Sequence, residues 1–253
     1  MFSNAIVRIP CKNFINGLTT ANLGVPDYEL ALIQHQEYVE ALRKCGLEVI
    51  ILDADEDYPD STFVEDTALL IPHCAIITNP GTSSRRGETD EIKIVLTEYY
   101  SKFETIDDPG TVEAGDIMMV GDHYFIGLSQ RTNINGAEQL INILKKYGMT
   151  GSLVTLNKVL HLKSGVAYLE NNNLASAGEF LLKQEFRKFN ILKIDDDENY
   201  AANCVWINDH ILIPKGFPKA KKTIGQEYND IIEVNVSEFQ KLDGGLSCLS
   251  LRF

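Results

Sequence analysis

Apolar residues recur along the chain as two short strands, an amphipathic helix and one further strand. In the first full repeat, strands are predicted at Ala68–Ile71 and Ala75–Thr78, a helix over Glu88–Tyr100 and a closing strand at Phe103–Ile106. Equivalent hairpins are predicted to start near residues 117, 166 and 204, each followed by a helical stretch and a single apolar strand. The helix of the third repeat is predicted over Glu179–Phe189.

The two ends of the chain predict a fifth copy of this repeat. The last strand, Cys248–Arg252, can pair with Ala5–Ile9, and a helix over Tyr28–Cys45 with the strand Leu47–Leu52 completes the unit. Regular spacing of this kind is typical of repeat architectures. We predict a single domain over residues 1–253, an α/β five-bladed propeller of ββαβ units with pseudo-five-fold symmetry, whose termini share one unit. An ordinary α+β domain whose strands only look periodic is the open alternative.

Composition and charge argue against several classes of protein. The chain has 253 residues, is 44% hydrophobic and carries a formal net charge of −13, whereas nucleic-acid binding needs a basic face. No apolar run reaches the ~18 residues that a membrane span requires, and residues 1–10 lack the features of a secretory signal. We therefore expect a cytoplasmic protein that binds neither nucleic acid nor membranes. The acid excess serves solubility or attracts a cationic ligand.

The cysteine pattern favours reduced thiols. The five cysteines are an odd number, and no two of them have C-x-x-C spacing, which argues against a disulfide framework and against a thiolate metal site. The chain also lacks a G-x-G-x-x-G motif and a P-loop. We therefore expect no metal, nucleotide or organic cofactor.

In a ring of similar units, the segment before each hairpin faces the axis. Two residues in these segments stand out: Cys248, which follows the loop Gly244-Gly245, and His161, the one histidine at this repeated position. Ordinary explanations exist as well, because free cysteines are mostly small core residues and acids at strand ends mostly act as caps. The acids at this level of the ring are Glu65, Asp66, Glu113 and Asp116.

With these residues in view, the chain resembles the dimethylarginine dimethylaminohydrolase family, in its bacterial form. This family belongs to the guanidino-modifying superfamily of arginine deiminases and amidinotransferases, which share a five-fold α/β propeller, the pentein fold. The resemblance spans essentially the whole chain. Six short motifs in the right order carry it: DSTFVED at 60–66, SRRGE at 84–88, GTVEAGD at 110–116, RTN at 131–133, VLHLK at 159–163 and DGGLSC at 243–248.

The resemblance implies a role for ten residues. Cys248 matches the nucleophile, His161 the general acid and base, and Glu113 its acidic partner. Two acids match acceptors for guanidinium nitrogens, three residues match the lining of the substrate pocket, and two arginines match binders of the substrate α-carboxylate. The two acids are Asp66 and Glu65. The pocket-lining residues are Leu18, Asp60 and Leu242, and the two arginines are Arg85 and Arg131. Without the resemblance, both arginines would be interpreted as surface residues.

One departure from the wider superfamily bears on the substrate. Deiminases that act on unmodified guanidinium have a His-x-Asp pattern, whereas this chain has Lys163, a cation with no acceptor, at the third position. A methylated guanidinium has fewer N–H donors, so this departure favours methylarginine, provided that Lys163 faces the pocket.

The expected reaction is hydrolysis of asymmetric dimethylarginine or monomethylarginine to citrulline and an amine, through a covalent thiouronium on Cys248. Deimination of free arginine and a non-catalytic arginine-binding module are the alternatives. The expected partner is a small cationic amino acid, and superfamily analogy suggests a homodimer.

Overall fold

Fifteen short strands and five helices build the molecule, and the computed structural model describes residues 1–253. The strands are β1 (Asn4–Arg8), β2 (Glu48–Leu52), β3 (Ala68–Ile71), β4 (Cys74–Ile77), β5 (Phe103–Thr105), β6 (Ile117–Val120), β7 (His123–Leu128), β8 (Thr150–Thr155), β9 (Val166–Tyr168), β10 (Asn173–Ser176), β11 (Asn190–Lys193), β12 (Val205–Ile207), β13 (His210–Pro214), β14 (Ile231–Val234) and β15 (Leu251–Arg252). The helices are α1 (Tyr28–Lys44), α2 (Glu88–Leu96), α3 (Ile134–Lys146), α4 (Pro218–Ile224) and α5 (Ser237–Gln240). None of these helices combines the length and the apolar character needed to cross a bilayer.

The strands form five separate three-stranded sheets of the same topology. In the first unit, β3 pairs with β4 as an antiparallel hairpin, and β5 then joins β4 in parallel after the helical crossover. In the fifth unit the chain ends meet: β15 pairs antiparallel with β1, with Ala5 opposite Arg252, and β2 joins β1 in parallel. The predicted ββαβ repeat and the sharing of one unit by the termini are therefore confirmed.

The hydrophobic core is divided into five clusters, and each cluster lies between two neighbouring units. One cluster joins Ile71 and Ile76 of the first unit to Ile117 and Ile126 of the second, and the other four link the remaining neighbours in the same way. Because burial between units is repeated around the whole ring, no unit carries a core of its own. The first strands of the five units surround a single axial cavity. The molecule is thus a five-bladed α/β propeller.

The structure corrects two predicted helices. The third unit has two 3-10 turns, Gly178–Leu182 and Gln184–Phe186, in place of the predicted helix over Glu179–Phe189. Phe180 and Phe189 are both buried, but at about 100° per residue a single α-helix would place them on opposite faces. Helix α1 forms as predicted. Its sequence pattern predicts an apolar stripe of Leu30, Ile33, Ala41, Leu42 and Cys45, and the last three of these residues are buried.

On α1, Leu30 and Ile33 belong to the predicted apolar stripe but are exposed, whereas His35 and Tyr38 are buried. The helix docks between the fourth and fifth units through Tyr38 and Leu42, and this packing decides the buried face. The hydroxyl of Tyr38 donates to the carbonyl oxygen of Leu246, which anchors the helix beside the C-terminal loop.

Candidate active site

A 3-10 turn precedes the first strand of every unit. The five turns are Val64–Thr67, Ala114–Asp116, Leu162–Ser164, Asp196–Ala202 and Ser247–Leu249. Glu65, Ala114, Lys163 and Ser247 from these turns line one end of the axial cavity. The turns therefore close that end of the axis, and the residues in and beside them converge on one place, as the repeated axial position predicts. Cys248 lies in such a turn and not in the predicted strand.

A second cavity lies against this ring of turns, with a volume of about 360 Å³ that includes the solvent at its mouth. Eight of the ten residues predicted for the site line it, while Glu65 and Glu113 do not. The lining residues are Leu18, Asp60, Phe63, Asp66, Arg85, Arg131, Leu160, His161, Leu242, Asp243, Gly244 and Cys248.

His161 lies between two fully buried carboxylates. Its Nε2 atom is 3.4 Å from Glu113 Oε2, and its Nδ1 atom is 3.3 Å from Asp116 Oδ2. Burial alone would lower the pKa of this imidazole, but Asp116, Asp66 and Glu113 outweigh burial and raise the pKa to about 9. The ring is therefore protonated at neutral pH and can give a proton to a leaving group in the cavity.

Asp116 contacts the ring of His161, although the sequence interpretation gave it no role. Its Oδ2 atom accepts a hydrogen bond from Ser129 Oγ at 2.7 Å, and its Oδ1 atom accepts one from the backbone N–H of Leu162 at 3.0 Å. These bonds fix the carboxylate against the residue that follows His161, so Asp116 positions the ring as well as charging it. The available signal was its place in the GTVEAGD motif, three residues after Glu113.

Cys248 is partly exposed, whereas the other four cysteines are buried. The backbone N–H of Gly245 points to its Sγ atom at 3.4 Å. Burial raises the pKa of the thiol to about 12, and the negative charges of Glu65 and Asp66 act in the same direction. Cys248 is thus a neutral thiol in the free protein, and a cation placed beside it would favour the thiolate.

The two glycines before Cys248 permit close packing and do not provide the flexible loop that the sequence suggests. A Cβ atom on Gly244 would lie 2.2 Å from the ring of Phe63, and one on Gly245 would lie 2.6 Å from Cγ of Asn203. Asn203 in turn accepts from the backbone N–H of Ser247 at 3.0 Å. The turn that carries the thiol is therefore held by direct contacts on both sides.

Asp66 and Arg85 form a buried ion pair on the floor of the cavity. Arg85 Nη1 lies 2.7 Å from Asp66 Oδ2, and the backbone N–H of Gly115 donates to Asp66 Oδ1 at 2.9 Å. Burial would raise the pKa of this carboxyl, but His161 and Arg85 together lower it to about 2. Asp66 is therefore ionised throughout the neutral range, as an acceptor for a cationic ligand must be.

Arg131 is the more available of the two arginines. Its Nη1 atom lies 3.2 Å from both carboxylate oxygens of Glu113, and its side chain is 16% exposed, against 5% for Arg85. The remaining N–H groups of Arg131 have no side-chain partner. A ligand carboxylate at the cavity wall can therefore form charge-assisted hydrogen bonds with Arg131.

The N-terminal loop covers one rim of the cavity. The backbone N–H of Leu18 donates to Asp60 Oδ1 at 3.0 Å, and Thr20 Oγ1 donates to Asp243 Oδ2 at 2.9 Å. Burial raises the pKa of Asp60 against the opposing charge of Arg85. Leu18 is 40% exposed although it lines the cavity. The loop thus places an apolar side chain at the mouth and ties it to acids on both sides.

Glu65 and Lys163 face away from this cavity and pair with each other. Glu65 Oε1 lies 2.6 Å from Lys163 Nζ, and Glu65 Oε2 accepts from Ser247 Oγ at 2.8 Å. Both side chains line the axial cavity on the other side of the turns. Lys163 does not line the cavity of Asp66 and Arg85, but it lines a small adjoining cavity together with His161 and Cys248. The substrate preference argued from it therefore stays a prediction. The acceptor role of Glu65 remains a prediction.

Three groups in the site also have the spacing of metal ligands. Asp66, Glu113 and His161 each offer one ligand atom, and these atoms lie within 4.8 Å of one another. Two of the three are already paired, Asp66 with Arg85 and Glu113 with Arg131. With the arginines in place, the cluster is better suited to a planar organic cation than to a dedicated metal ion.

Comparisons with known proteins agree with this geometry. A family model described as N,N dimethylarginine dimethylhydrolase, eukaryotic, matches residues 26–179. The chain is 53% identical over 254 residues to the N(G),N(G)-dimethylarginine dimethylaminohydrolase of Pseudomonas aeruginosa, with 100% of both chains covered. It is 32% identical over 249 residues to the enzyme of that name from Streptomyces coelicolor, covering 98% of this chain and 96% of the other.

Solved structures give the same relationship. A cysteine-to-serine variant of the Pseudomonas aeruginosa enzyme, complexed with citrulline, superimposes with a TM-score of 0.98 at 53% identity over 100% of both chains. The N-terminal domain of the cyanobacterial arginine dihydrolase ArgZ, at 17% identity and a TM-score of 0.87 over 98% of this chain and 97% of that domain, shares the fold. The chain therefore belongs to the dimethylarginine dimethylaminohydrolase family.

Proposed function

We propose that this protein hydrolyses N-omega-methylated arginines, namely asymmetric dimethylarginine and monomethylarginine, to citrulline and dimethylamine or methylamine. The observation that carries the proposal is that a thiol, a protonated imidazole and an ionised carboxylate line one small cavity: Cys248, His161 and Asp66. The scheme needs no metal or organic cofactor, since the protein supplies the nucleophile, the acid and the base.

The charges of the site suit a cation with a carboxylate tail. Four acids, Asp60, Asp66, Glu113 and Asp116, exceed the positive charges of two arginines and one imidazolium, so a guanidinium is attracted. We assign Asp66 and Asp60 to the guanidinium nitrogens. Leu18 and Leu242 would enclose the aliphatic chain, and Arg131 with Arg85 would face the α-carboxylate. Glu65 could join as an acceptor only after Lys163 or Ser247 releases it.

In the first half of the reaction, the bound cation lowers the pKa of Cys248, and the thiol loses its proton to solvent. The thiolate attacks the guanidinium carbon and forms a C–S bond. His161 gives its proton to the methylated nitrogen, the C–N bond breaks, and the neutral amine leaves. A positively charged thiouronium on Cys248 and a neutral His161 remain. Glu113 and Asp116 hold the ring in place through this step.

In the second half, neutral His161 takes a proton from water while the oxygen attacks the same carbon. The tetrahedral adduct expels the sulfur, the hydroxyl proton passes to the departing thiolate, and the urea group of citrulline is formed. With a pKa of about 9, His161 is protonated at the start of the cycle and becomes a competent base once it has given up its proton.

The relatives support this scheme through what was bound to them. The Pseudomonas aeruginosa enzyme with its cysteine replaced by serine was crystallised with citrulline. A histidine-to-glycine variant of a dimethylarginine dimethylaminohydrolase, with a TM-score of 0.98 to this chain, was crystallised as an adduct with S-methyl-L-thiocitrulline. Both ligands are arginine-like amino acids with a modified guanidino carbon.

Product analysis tests the proposal. Incubation with asymmetric dimethylarginine should release citrulline and dimethylamine in equal amounts, and acid quenching should trap an adduct on the peptide that contains Cys248. The variant Cys248→Ser should lose turnover, whereas Cys204→Ser, in the equivalent part of the fourth unit, should retain it. Faster release of ammonia from free arginine would identify a deiminase. Absence of citrulline from either substrate would favour a binding module.

Three further proposals accompany this function. We propose that residues 1–253 form one catalytic domain, because the active-site residues come from different units of the ring. We also propose a homodimer, which light scattering on the purified protein would test, and a cytoplasmic location, where a catalytic thiol stays reduced. Fractionation of cells that express the tagged chain would test the location.

A further inference from the structure

Glu88 is a buried acid at the edge of the site that the scheme above does not use. It is the first residue of α2 and lies three residues after Arg85. Both side chains are almost completely buried, with 2% of Glu88 and 5% of Arg85 exposed. An acid in the first turn favours a helix through the helix dipole, but a solvated acid would serve that purpose equally well. The burial of Glu88 therefore needs another explanation.

The hydrogen bonds of Arg85 show what Glu88 does. A guanidinium has five N–H donors in a fixed plane. Glu88 accepts from Nε at 3.1 Å and from Nη2 at 2.8 Å, and the carbonyl oxygen of Phe63 accepts from Nη2 at 3.0 Å. One donor of Nη1 goes to Asp66 at 2.7 Å. The orientation of the fork is thus fixed, and of the five donors only one N–H of Nη1 is left without a partner.

This orientation keeps Arg85 from using a second carboxylate. Glu113 Oε2 lies 3.9 Å from Arg85 Nη1, which is outside hydrogen-bonding range. If the Nε edge of Arg85 were free, the planar fork could turn to bind Asp66 and Glu113 together. Those two carboxylates would then be neutralised by the protein's own arginine.

We propose that Glu88 is a positioning residue of this site: it holds the Nε edge of Arg85 and offsets the charge of that arginine. Asp66 then makes a single contact with Arg85, and Glu113 stays with Arg131 and His161, so neither acid is shared further and both can act on a bound cation. This inference deepens the proposed function and rests on it, since the bound cation is the methylated guanidinium of the substrate. Glu88 acts only through Arg85 and does not touch the substrate.

The test compares three variants of α2. Glu88→Gln keeps the shape and removes the charge, and Glu88→Asp keeps the charge on a shorter arm. Asp90→Asn is the matched control, because Asp90 is an exposed acid in the same helical turn. The first readout is the thiolate absorbance of Cys248 against pH, recorded without substrate and as a difference from Cys248→Ala. The second readout is kcat/KM for asymmetric dimethylarginine at pH 8.5, where Glu88 is ionised although burial raises its pKa to about 7.

In Glu88→Gln, Arg85 should neutralise more of the negative charge of Asp66, and this charge helps to hold the Cys248 thiol neutral. The apparent pKa of the thiol should therefore fall by ~0.5 unit or more, and kcat/KM should fall about tenfold. Asp90→Asn should match the wild type in both readouts, and Glu88→Asp should lie between the two. A Glu88→Gln protein that titrates and turns over like Asp90→Asn would overturn the inference.

A double variant that also lacks Arg85 distinguishes a positioning role of Glu88 from a general effect of Glu88 on the stability of the fold. If Glu88 acts through Arg85, adding Glu88→Gln to the variant Arg85→Gln should have little further effect. The additional change in kcat/KM should be less than about twofold, and the additional change in the pKa of the Cys248 thiol should be less than ~0.2 unit. The double variant removes both charges of the Arg85–Glu88 pair, and Asp66 still has His161 beside it, so the double variant serves even if Glu88→Gln alone does not fold. A larger additional loss would show that Glu88 acts by another route. If the wild type fails to hydrolyse methylarginine, the proposed function is lost, but the thiol titration still decides the role of Glu88.

Discussion

The protonated imidazole of His161 should make the folded state lose stability as pH rises. Its pKa in the folded protein is about 9, against an ordinary value of 6.5. A group whose pKa is raised by folding contributes stability that is fully present below its unfolded pKa and is lost as pH rises through the folded value. At 1.36 kcal/mol for each pKa unit, the contribution is about 3 kcal/mol at pH 6. About 2 kcal/mol of it should be lost by pH 8.5.

Urea unfolding of the wild type and of His161→Asn, at pH 6, 7 and 8.5, measures this term. Burial also raises the pKa of Glu88, to about 7 against the opposing charge of Arg85, so Glu88 contributes in the same direction. Because Glu88 is present in both proteins, the difference between them isolates His161. Parallel stability profiles for the two proteins would refute the reasoning.

Other consequences can be measured separately. Saturation with an unreactive amino acid that carries a guanidinium or amidinium group should lower the pKa of the Cys248 thiol from about 12 by at least ~1 unit, because the cation offsets the nearby carboxylates. Thiolate absorbance measures this pKa, and an unchanged value would contradict substrate-assisted ionisation. Arg131→Gln should raise KM for methylarginine ~10- to 100-fold by removing a charge-assisted pair worth ~1.5–3 kcal/mol. The same variant should leave KM nearly unchanged for a guanidine substrate that lacks the α-carboxylate. Equal increases in KM for both substrates would show that Arg131 does not bind the carboxylate. Gly244→Ala should cost ~1–3 kcal/mol in thermal unfolding, since its Cβ would lie 2.2 Å from the ring of Phe63; a wild-type melting temperature would refute the tight packing.

The strand pattern was predictable because each strand is a short apolar run that ends at a turn. The strand predicted at Ala68–Ile71 agrees with the structure residue for residue, and the hairpins predicted to start near residues 117 and 166 begin at Ile117 and Val166. The repeat also predicted the pairing of the two chain ends, since the last strand and the first strand complete a unit only together. These features depend on local periodicity, which one sequence contains.

Features that depend on packing between units were not predictable in the same way. Leu30 and Ile33 fit a helical stripe, but the docking of α1 between two units buries Tyr38 and His35 instead. The orientation of Glu65 depends on Lys163 and Ser247, which come from other units of the ring. The hydrophobic pattern within one segment does not predict on which side of a turn a charged side chain will lie.

In the proposed scheme, the same carboxylate charge contributes to binding of the substrate cation and to ionisation of the Cys248 thiol when that cation is bound. The negative charge of Asp66 helps to hold the Cys248 thiol neutral, and the same carboxylate is the assigned acceptor for the substrate cation. A bound guanidinium therefore offsets part of what suppresses the thiolate, at the moment when its carbon is in place to be attacked. A neutral or anionic ligand brings no positive charge to offset these carboxylates. It follows that the acids around Cys248 protect the thiol from adventitious reaction in the free protein, and selectivity for cations does not require a separate control element.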